Sequence, residues 1–349
     1  MKRPSAPKQV LIVVATLAIV GGSIALVIMR GPNWRLVRDA FTAVQWPWVA
    51  VALGMNLLSI VTRSVAWKTV IDQAQEPPVR YRSVFSAFSV GLLANAVLPG
   101  RIGELARVAV LTRRLKSKKG VWATLVGTVF AHRVFDVFPV LVLIVFVLAT
   151  AKIPSWATTS LELFVVLGLA LFLLALVLAT RRHRSPIDGL GPARRLVTMA
   201  RYGLAVLHTP VAAAIAILFQ FSGWLLQLLA VYSAMRAFGI HEAFPVAALV
   251  LLLMNVATIF PLWPGNFGLV QVAVALPLVS YGVAYARGFA FGIGLQAIEA
   301  SVGVGLGMIF LTREGLSYAS LKEIPEPGDY ELETERDKRR AAAWMRRNR

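Results

Sequence analysis

Long apolar runs recur along this chain, and two of them are broken in the middle by Pro-Gly. Runs of about 18 residues or more are long enough to cross the roughly 30 Å hydrocarbon core of a bilayer. The first break reads Leu98, Pro99, Gly100, Arg101, Ile102, Gly103, Glu104, and the second reads Trp263, Pro264, Gly265, Asn266, Phe267, Gly268. Lipid offers no water to unpaired backbone groups, so such breaks survive only inside protein or beside a polar cavity. Paired interruptions in the two halves of a membrane protein point to a transport site. With 58% hydrophobic residues and a mean hydropathy of +0.70, the sequence specifies an all-α polytopic membrane protein rather than a soluble domain.

The first nine residues, with Lys2, Arg3 and Lys8, precede an apolar run from Val10 to Met29, which reads as a retained first helix. Further spans are expected at Trp48–Ile71, Val121–Ala151, Leu161–Thr180, Val211–Met235 and Gly288–Leu311. The first broken segment covers 84–112, with helices at Val84–Leu98 and Glu104–Leu111. The second covers 244–284, with helices at Phe244–Phe260 and Leu269–Val283. The transmembrane domain is thus placed at 10–312. Residues 313–349 form a charged tail, acidic over Glu323–Asp337 and basic over Lys338–Arg349, expected to be disordered and cytoplasmic.

A formal net charge of +19 raises nucleic acid as a partner, but the basic residues sit in short loops between spans. That is the positive-inside pattern. If both broken segments return to the side they entered from, then Arg63 to Arg82, Arg113 to Lys119, Arg181 to Arg201 and both termini face the cytoplasm. Arg30, Arg35, Arg38, Lys152, Arg236 and Arg287 face the other side. The expected architecture is therefore six full spans plus two oppositely oriented re-entrant hairpins in the cell membrane. Leu92, Leu93, Ala94 and Asn95 resemble Leu252, Leu253, Met254 and Asn255. Pro99, Gly100, Gly103 and Leu111 match Pro264, Gly265, Gly268 and Leu276 at constant spacing. The two hairpins read as an inverted repeat, an architecture suited to alternating access.

Pro fixes φ and Gly tolerates sharp turns, so each break starts a new half-helix whose free N–H groups and positive dipole end can meet a phosphate. Arg101 lies at the first such end, suited to bidentate phosphate binding. Glu104 lies in the first turn, either complementing the dipole and restraining Arg101 or Arg107, or handling substrate directly. His132, Arg133 and Asp136 share one helical surface near mid-bilayer, where charge is costly and usually faces a bundle interior. They read either as a structural Arg133–Asp136 pair or as a phosphate site, with His132 a hydrogen-bond partner or proton carrier. Glu299, at similar depth, is placed to neutralise Arg101 or Arg133. Asn95, Asn255, Asn266 and Gln271 are expected to satisfy broken backbone. No nucleotide loop, HExxH, nucleophile elbow or metal-ligand spacing occurs, and the chain has no cysteine. The sequence calls for no cofactor, metal or enzyme activity.

The run from Asn95 through Pro99, Gly100, Arg101, Gly103 and Glu104 to Arg107 resembles the lysylphosphatidylglycerol synthase transmembrane family, also called flippase-like domain proteins. So do the Arg133-x-x-Asp136 helix and the segment Pro264 to Gly268. The likeness spans about Trp46 to Leu311. It implies a lipid-translocating domain of bacterial or archaeal origin. Three departures stand out: His132 where the family often has Glu, Gln271 nearest to where it often has Glu, and no aminoacyltransferase domain after Leu311. The expected function is movement of an anionic or zwitterionic phospholipid or a polyprenyl-phosphate lipid between leaflets. The alternative is a non-transporting scaffold for a lipid-modifying enzyme, and a homodimer is compatible with either.

Overall fold

The structure is a computed structural model that describes residues 32–98, 102–115, 121–153, 155–180, 209–259 and 266–315. The expected first helix Val10–Met29, the turn residues Pro99, Gly100, Arg101, Pro264 and Gly265, most of the two basic loops and the tail beyond Gly315 lie outside the described residues. Ten helices are described: α1 Trp34–Thr42, α2 Trp46–Ala74, α3 Tyr81–Val97, α4 Gly103–Arg114, α5 Val121–Thr150, α6 Ser155–Thr180, α7 Pro210–Ala237, α8 Phe244–Ala257, α9 Leu269–Val279 and α10 Tyr285–Arg313. Among the described residues α2, α5, α7 and α10 are the four helices long and apolar enough to cross a membrane. The short α1 was not expected. It caps on Asn33, whose side chain accepts from Arg35 N at 3.1 Å.

Proline in the first turn sets the start of α2, α7 and α8, where a missing N–H costs nothing. Gly239, at φ 66°, ends α7 and lets Ile240 N reach Met235 O at 2.9 Å, a left-handed stop that a side chain would strain.

Lipid removes the hydrophobic drive between helices, so close packing and polar contacts must hold them together. Helices α2 and α7 lie antiparallel along their length. Gln45 N donates to Ala237 O (2.9 Å), Ser59 Oγ to Gly223 O (2.7 Å) and Thr209 Oγ1 to Gln73 Oε1 (3.0 Å). Gly223 makes that approach possible, because a Cβ there would stand 2.5 Å from Arg63 Cγ. Helix α5 also runs antiparallel to α2, with Trp67 Nε1 on Thr128 Oγ1 (3.1 Å) and Arg63 on Asp136 (3.2 Å). The chain between Ala74 and Val121 therefore begins and ends at one face of the bundle.

Glu314, just past α10, accepts from Arg114 Nε at 2.8 Å and from Ser86 Oγ. The carboxyl end of α10 thus belongs to that same face. At the opposite face Tyr281 brackets Lys152, accepting from its N–H (2.6 Å) and donating to its carbonyl (3.0 Å). Residues between Ala237 and Tyr285 therefore start and finish at this second face.

Each pair of short helices sits in its own apolar cluster. One gathers Val84 to Leu98 and Ala106 to Leu111 around Trp67 and Ile71; the other gathers Val246 to Met254 and Val270 to Leu278 around Phe289 and Phe291. Helix α8 is buried without a gap from Val246 to Met254. A helix apolar on every side and enclosed by protein is a core element, which is the environment a broken backbone requires in a membrane.

Candidate site: an ion-pair network at mid-membrane

Beside each break, side chains satisfy backbone groups of the described flanking residues. Asn95 Oδ1 accepts from Gly103 N at 2.9 Å, Asn266 Nδ2 donates to Ala257 O at 3.0 Å, and Gln271 Oε1 accepts from Gly268 N at 2.6 Å. Gly268, at φ 92°, is the N-cap of α9. Asn255 instead donates to Leu251 O within its own helix (2.8 Å). Both helix pairs meet the middle of α10. Gln271 Nε2 donates to Gln296 Oε1 at 2.6 Å, and Gly303 faces Leu92. At 1.5 Å per residue these two meeting points are about 10 Å apart along the axis, and Glu299 lies between them.

Around that level four helices contribute charge and a fifth, α7, contributes neutral polar partners. Asp136 of α5 is the hub. Its Oδ1 accepts from Arg63 Nη2 (3.2 Å) on α2, and from Trp224 Nε1 (2.8 Å) and Gln220 Nε2 on α7; its Oδ2 accepts from Arg133 Nη1 (3.0 Å). Arg133 also reaches Glu104 of α4, whose second oxygen pairs with Arg107. The Arg107 guanidinium is packed over the rings of Trp67 (4.5 Å) and Phe88 (5.4 Å), a cation–π seat. Arg63 lies 5.1 Å from the Trp224 ring and donates to Gln227 Oε1 (3.3 Å), while Gln227 Nε2 donates to Glu299 Oε1 (3.3 Å).

Asp136 is about 22 Å along α5 from Val121 and Glu299 about 21 Å from either end of α10, so the network sits near mid-membrane. Three guanidinium groups face three carboxylates, Glu104, Asp136 and Glu299. Charge at this depth is tolerable only when paired. The pairing is not equally sheltered: the Arg107 side chain is 4% exposed and Arg63 21%, whereas Arg133 is 49% exposed.

Of the residues singled out in the sequence, Glu104, Arg107, Arg133 and Asp136 come together directly. Glu299 joins through Gln227 and Arg63 rather than through Arg133. His132 is buried beside the network, its ring edge-on to Phe88 at 6.2 Å, and its Nδ1 has no hydrogen-bond partner among the described residues. Arg101 lies outside the described residues, as do Pro99, Gly100, Pro264 and Gly265, while Gly103 is the first residue of α4 and Gly268 the N-cap of α9. Arg63 requires a correction. It was expected at the cytoplasmic end of its span, but α2 runs on to Ala74 and holds it about 16 Å inside, where Asp136 compensates its charge. Gln220, Trp224 and Gln227 were missed, although polar groups at i, i+4 and i+7 in an apolar span mark one helical face.

A sequence profile of the lysylphosphatidylglycerol synthase TM region matches residues 12–307. Two curated relatives, both described as UPF0104 membrane proteins of Methanothermobacter thermautotrophicus, are similar to the chain. One is 26% identical over 283 residues, covering 74% of this chain and 80% of the relative; the other is 24% identical over 287 residues, covering 75% and 82%. No solved structure matches the chain.

Proposed function

Because the chain belongs to the lysylphosphatidylglycerol synthase transmembrane family, we propose that it is a lipid translocase, with Arg133 as the group that meets the headgroup phosphate. One observation carries this reading: a half-exposed guanidinium at mid-membrane, braced by a buried carboxylate on its own helix. A cation that served only to pair Asp136 and Glu104 would have no need to leave half its side chain open at that depth. Asp136 fixes the fork of Arg133, and a fork fixed on one side is preorganised for a bidentate oxyanion on the other. The substrate class is a phospholipid or a polyprenyl-phosphate lipid, moved in the cell membrane with both termini cytoplasmic.

The two broken segments act in this reading as oppositely oriented re-entrant hairpins, 84–112 and 244–284, forming an inverted repeat beside six full spans. The antiparallel packing of α2 with α5 and α7 supports it, since each broken pair leaves from the face at which it arrives. The meeting of both pairs at the middle of α10 supports a shared cavity there.

The test is leaflet exchange of labelled phosphatidylglycerol and of a polyprenyl phosphate in proteoliposomes, wild type beside Arg133→Gln, with thermal unfolding of both. Exchange by wild type and at least tenfold loss in the equally stable variant is the expected result. Equal exchange by the two proteins, or none by wild type with either lipid, would refute it.

A further inference from the structure

Of the three carboxylates in the network, Glu104 is the one placed to yield. Asp136 is gripped by four donors from three helices. Glu299 is linked to Arg63 through Gln227. Glu104 hydrogen-bonds Arg133 with one oxygen, while its other lies within ion-pair range of Arg107 and makes no hydrogen bond among the described residues. Its side chain is 23% exposed, and its partner Arg133 is the most open cation of the three.

Resting on the translocase reading, we infer that Glu104 is an internal competitor for the substrate: its carboxylate occupies the place on Arg133 that a phosphate-bearing headgroup takes, and the two anions exchange. A carboxylate and a phosphate present the same pair of oxygens to a guanidinium fork. Arg133 already spends one terminal nitrogen on Asp136 and the other on Glu104, so an incoming phosphate finds the second one taken. With three cations facing three carboxylates, adding a phosphate and moving nothing would leave excess negative charge where the dielectric is low and repulsion strong. Withdrawing Glu104 from Arg133 frees the cation for the phosphate. Arg107, pinned between Trp67 and Phe88, keeps Glu104 from becoming a lone buried charge.

Position makes the exchange consequential. Glu104 is the second residue of α4, directly after the first break, and Gly103 beside it is tied to Asn95 of α3. A shift of Glu104 is therefore a shift at the tip of the broken pair. Competition also sets affinity: a site that moves cargo must bind well enough to load and weakly enough to unload. A headgroup phosphate and inorganic phosphate share this chemistry.

Binding of short-chain phosphatidylglycerol and, separately, inorganic phosphate to the full chain in neutral maltoside micelles tests the inference. The proteins are wild type, Glu104→Gln, Arg133→Gln and Glu299→Gln, each checked by thermal unfolding. Glu104→Gln is expected to bind phosphatidylglycerol about tenfold tighter, the worth of one charge-assisted contact, and Arg133→Gln to lose binding. Glu299→Gln removes the same charge without touching Arg133 and should gain less than about threefold. A tightening seen only with inorganic phosphate would overturn assignment to a lipid headgroup. Unchanged or weaker affinity in folded Glu104→Gln, equal gains in Glu104→Gln and Glu299→Gln, or no binding of either probe by wild type and Glu104→Gln would overturn the inference. Should Glu104→Gln fail to fold, Glu104→Asp, which draws the carboxylate back by one methylene, must still tighten binding, and its failure to do so overturns the inference as well. The two readings separate cleanly. Exchange of lipid by wild type with no affinity gain in Glu104→Gln removes the competitor and keeps the translocase. An affinity gain without lipid exchange does the reverse.

Discussion

Replacing Asp136 by Asn is the perturbation that tests what holds these helices together. The carboxylate takes four hydrogen bonds, three on Oδ1 and one on Oδ2. An amide keeps one carbonyl oxygen, enough for Trp224 and Gln220, but its NH2 cannot accept and its charge is gone. Arg133 loses less, being half exposed and still paired with Glu104. Arg63 loses more, because it is mostly buried and keeps only the neutral Gln227 as a hydrogen-bond acceptor among the described residues. Breaking a buried pair from one side costs about 3–5 kcal/mol, and with Gln227 retained the lower end, about 3 kcal/mol, is the expected loss.

Unfolding in mixed dodecyl sulfate–maltoside micelles measures that loss, and the cycle with Arg63→Gln assigns it. Arg63→Gln alone should cost about as much, for the same reason seen from the other side. If the two groups act on each other, the double variant removes both buried charges and should cost about 4 kcal/mol rather than about 6, a coupling of about 2 kcal/mol. A loss under about 1 kcal/mol for Asp136→Asn, or full additivity in the double variant, would refute the keystone role of the pair.

Three further outcomes are expected. Gly307→Val should cost about 1–3 kcal/mol by overpacking, since a Cβ there would stand 2.8 Å from Ser89 O and strike Leu93, whereas Gly305→Ala, with nothing within 4 Å of the added carbon, should leave the unfolding midpoint unchanged. Because the chain has no cysteine, single cysteines at Gln75 and Arg114 should label with an impermeant maleimide from one side of the membrane, and cysteines at Gln45 and Tyr281 from the other; labelling of Gln75 and Arg114 from opposite sides would refute the first hairpin. Tyr281→Phe removes both bonds to Lys152 and should lower stability by about 1–2 kcal/mol, measured in the same micelles.

The helices were legible because membrane spans are written in long apolar runs, and their observed ends differ from expectation by a few residues. Helix α5 was read as Val121–Ala151 and is Val121–Thr150; α7 was read as Val211–Met235 and is Pro210–Ala237. Ends drift because polar residues at a membrane boundary remain helical. Half the network was legible for a different reason: Glu104, Arg133, Asp136 and Glu299 interrupt apolar sequence, so depth alone exposes them. Arg63 was misplaced because a basic residue toward the end of a hydrophobic run looks like an interfacial anchor until the true helix end is known. The route from Glu299 to Arg63 through Gln227 was not legible, because it depends on how α7 faces α10, a tertiary fact with no local signature. For His132 the spacing indicated a shared helical surface with Asp136 but not its neighbour on α3, the Phe88 ring against which it packs edge-on.

On the translocase reading, stability and exchange are divided between the two ends of one ion-pair network. In lipid, helices gain nothing from burying apolar surface against each other, so they associate through close small-residue contacts and through polar pairs that lipid cannot satisfy. Arg63 with Asp136, braced by Gln220, Trp224 and Gln227, serves that purpose for α2, α5 and α7. Were every pair equally buried, the network would be a lock. It is not, because Arg133 and Glu104 lie at its open edge while Asp136, which anchors Arg133, is gripped from three helices. In that reading, a rigid anchor beside an exposed cation lets one anion replace another there without loosening the bundle. That is why Arg133→Gln should silence exchange at a smaller stability cost than that of Asp136→Asn, which should unsettle the fold. If Arg133→Gln instead destabilised the protein as much as Asp136→Asn does, the open edge would be part of the lock and the division would fail.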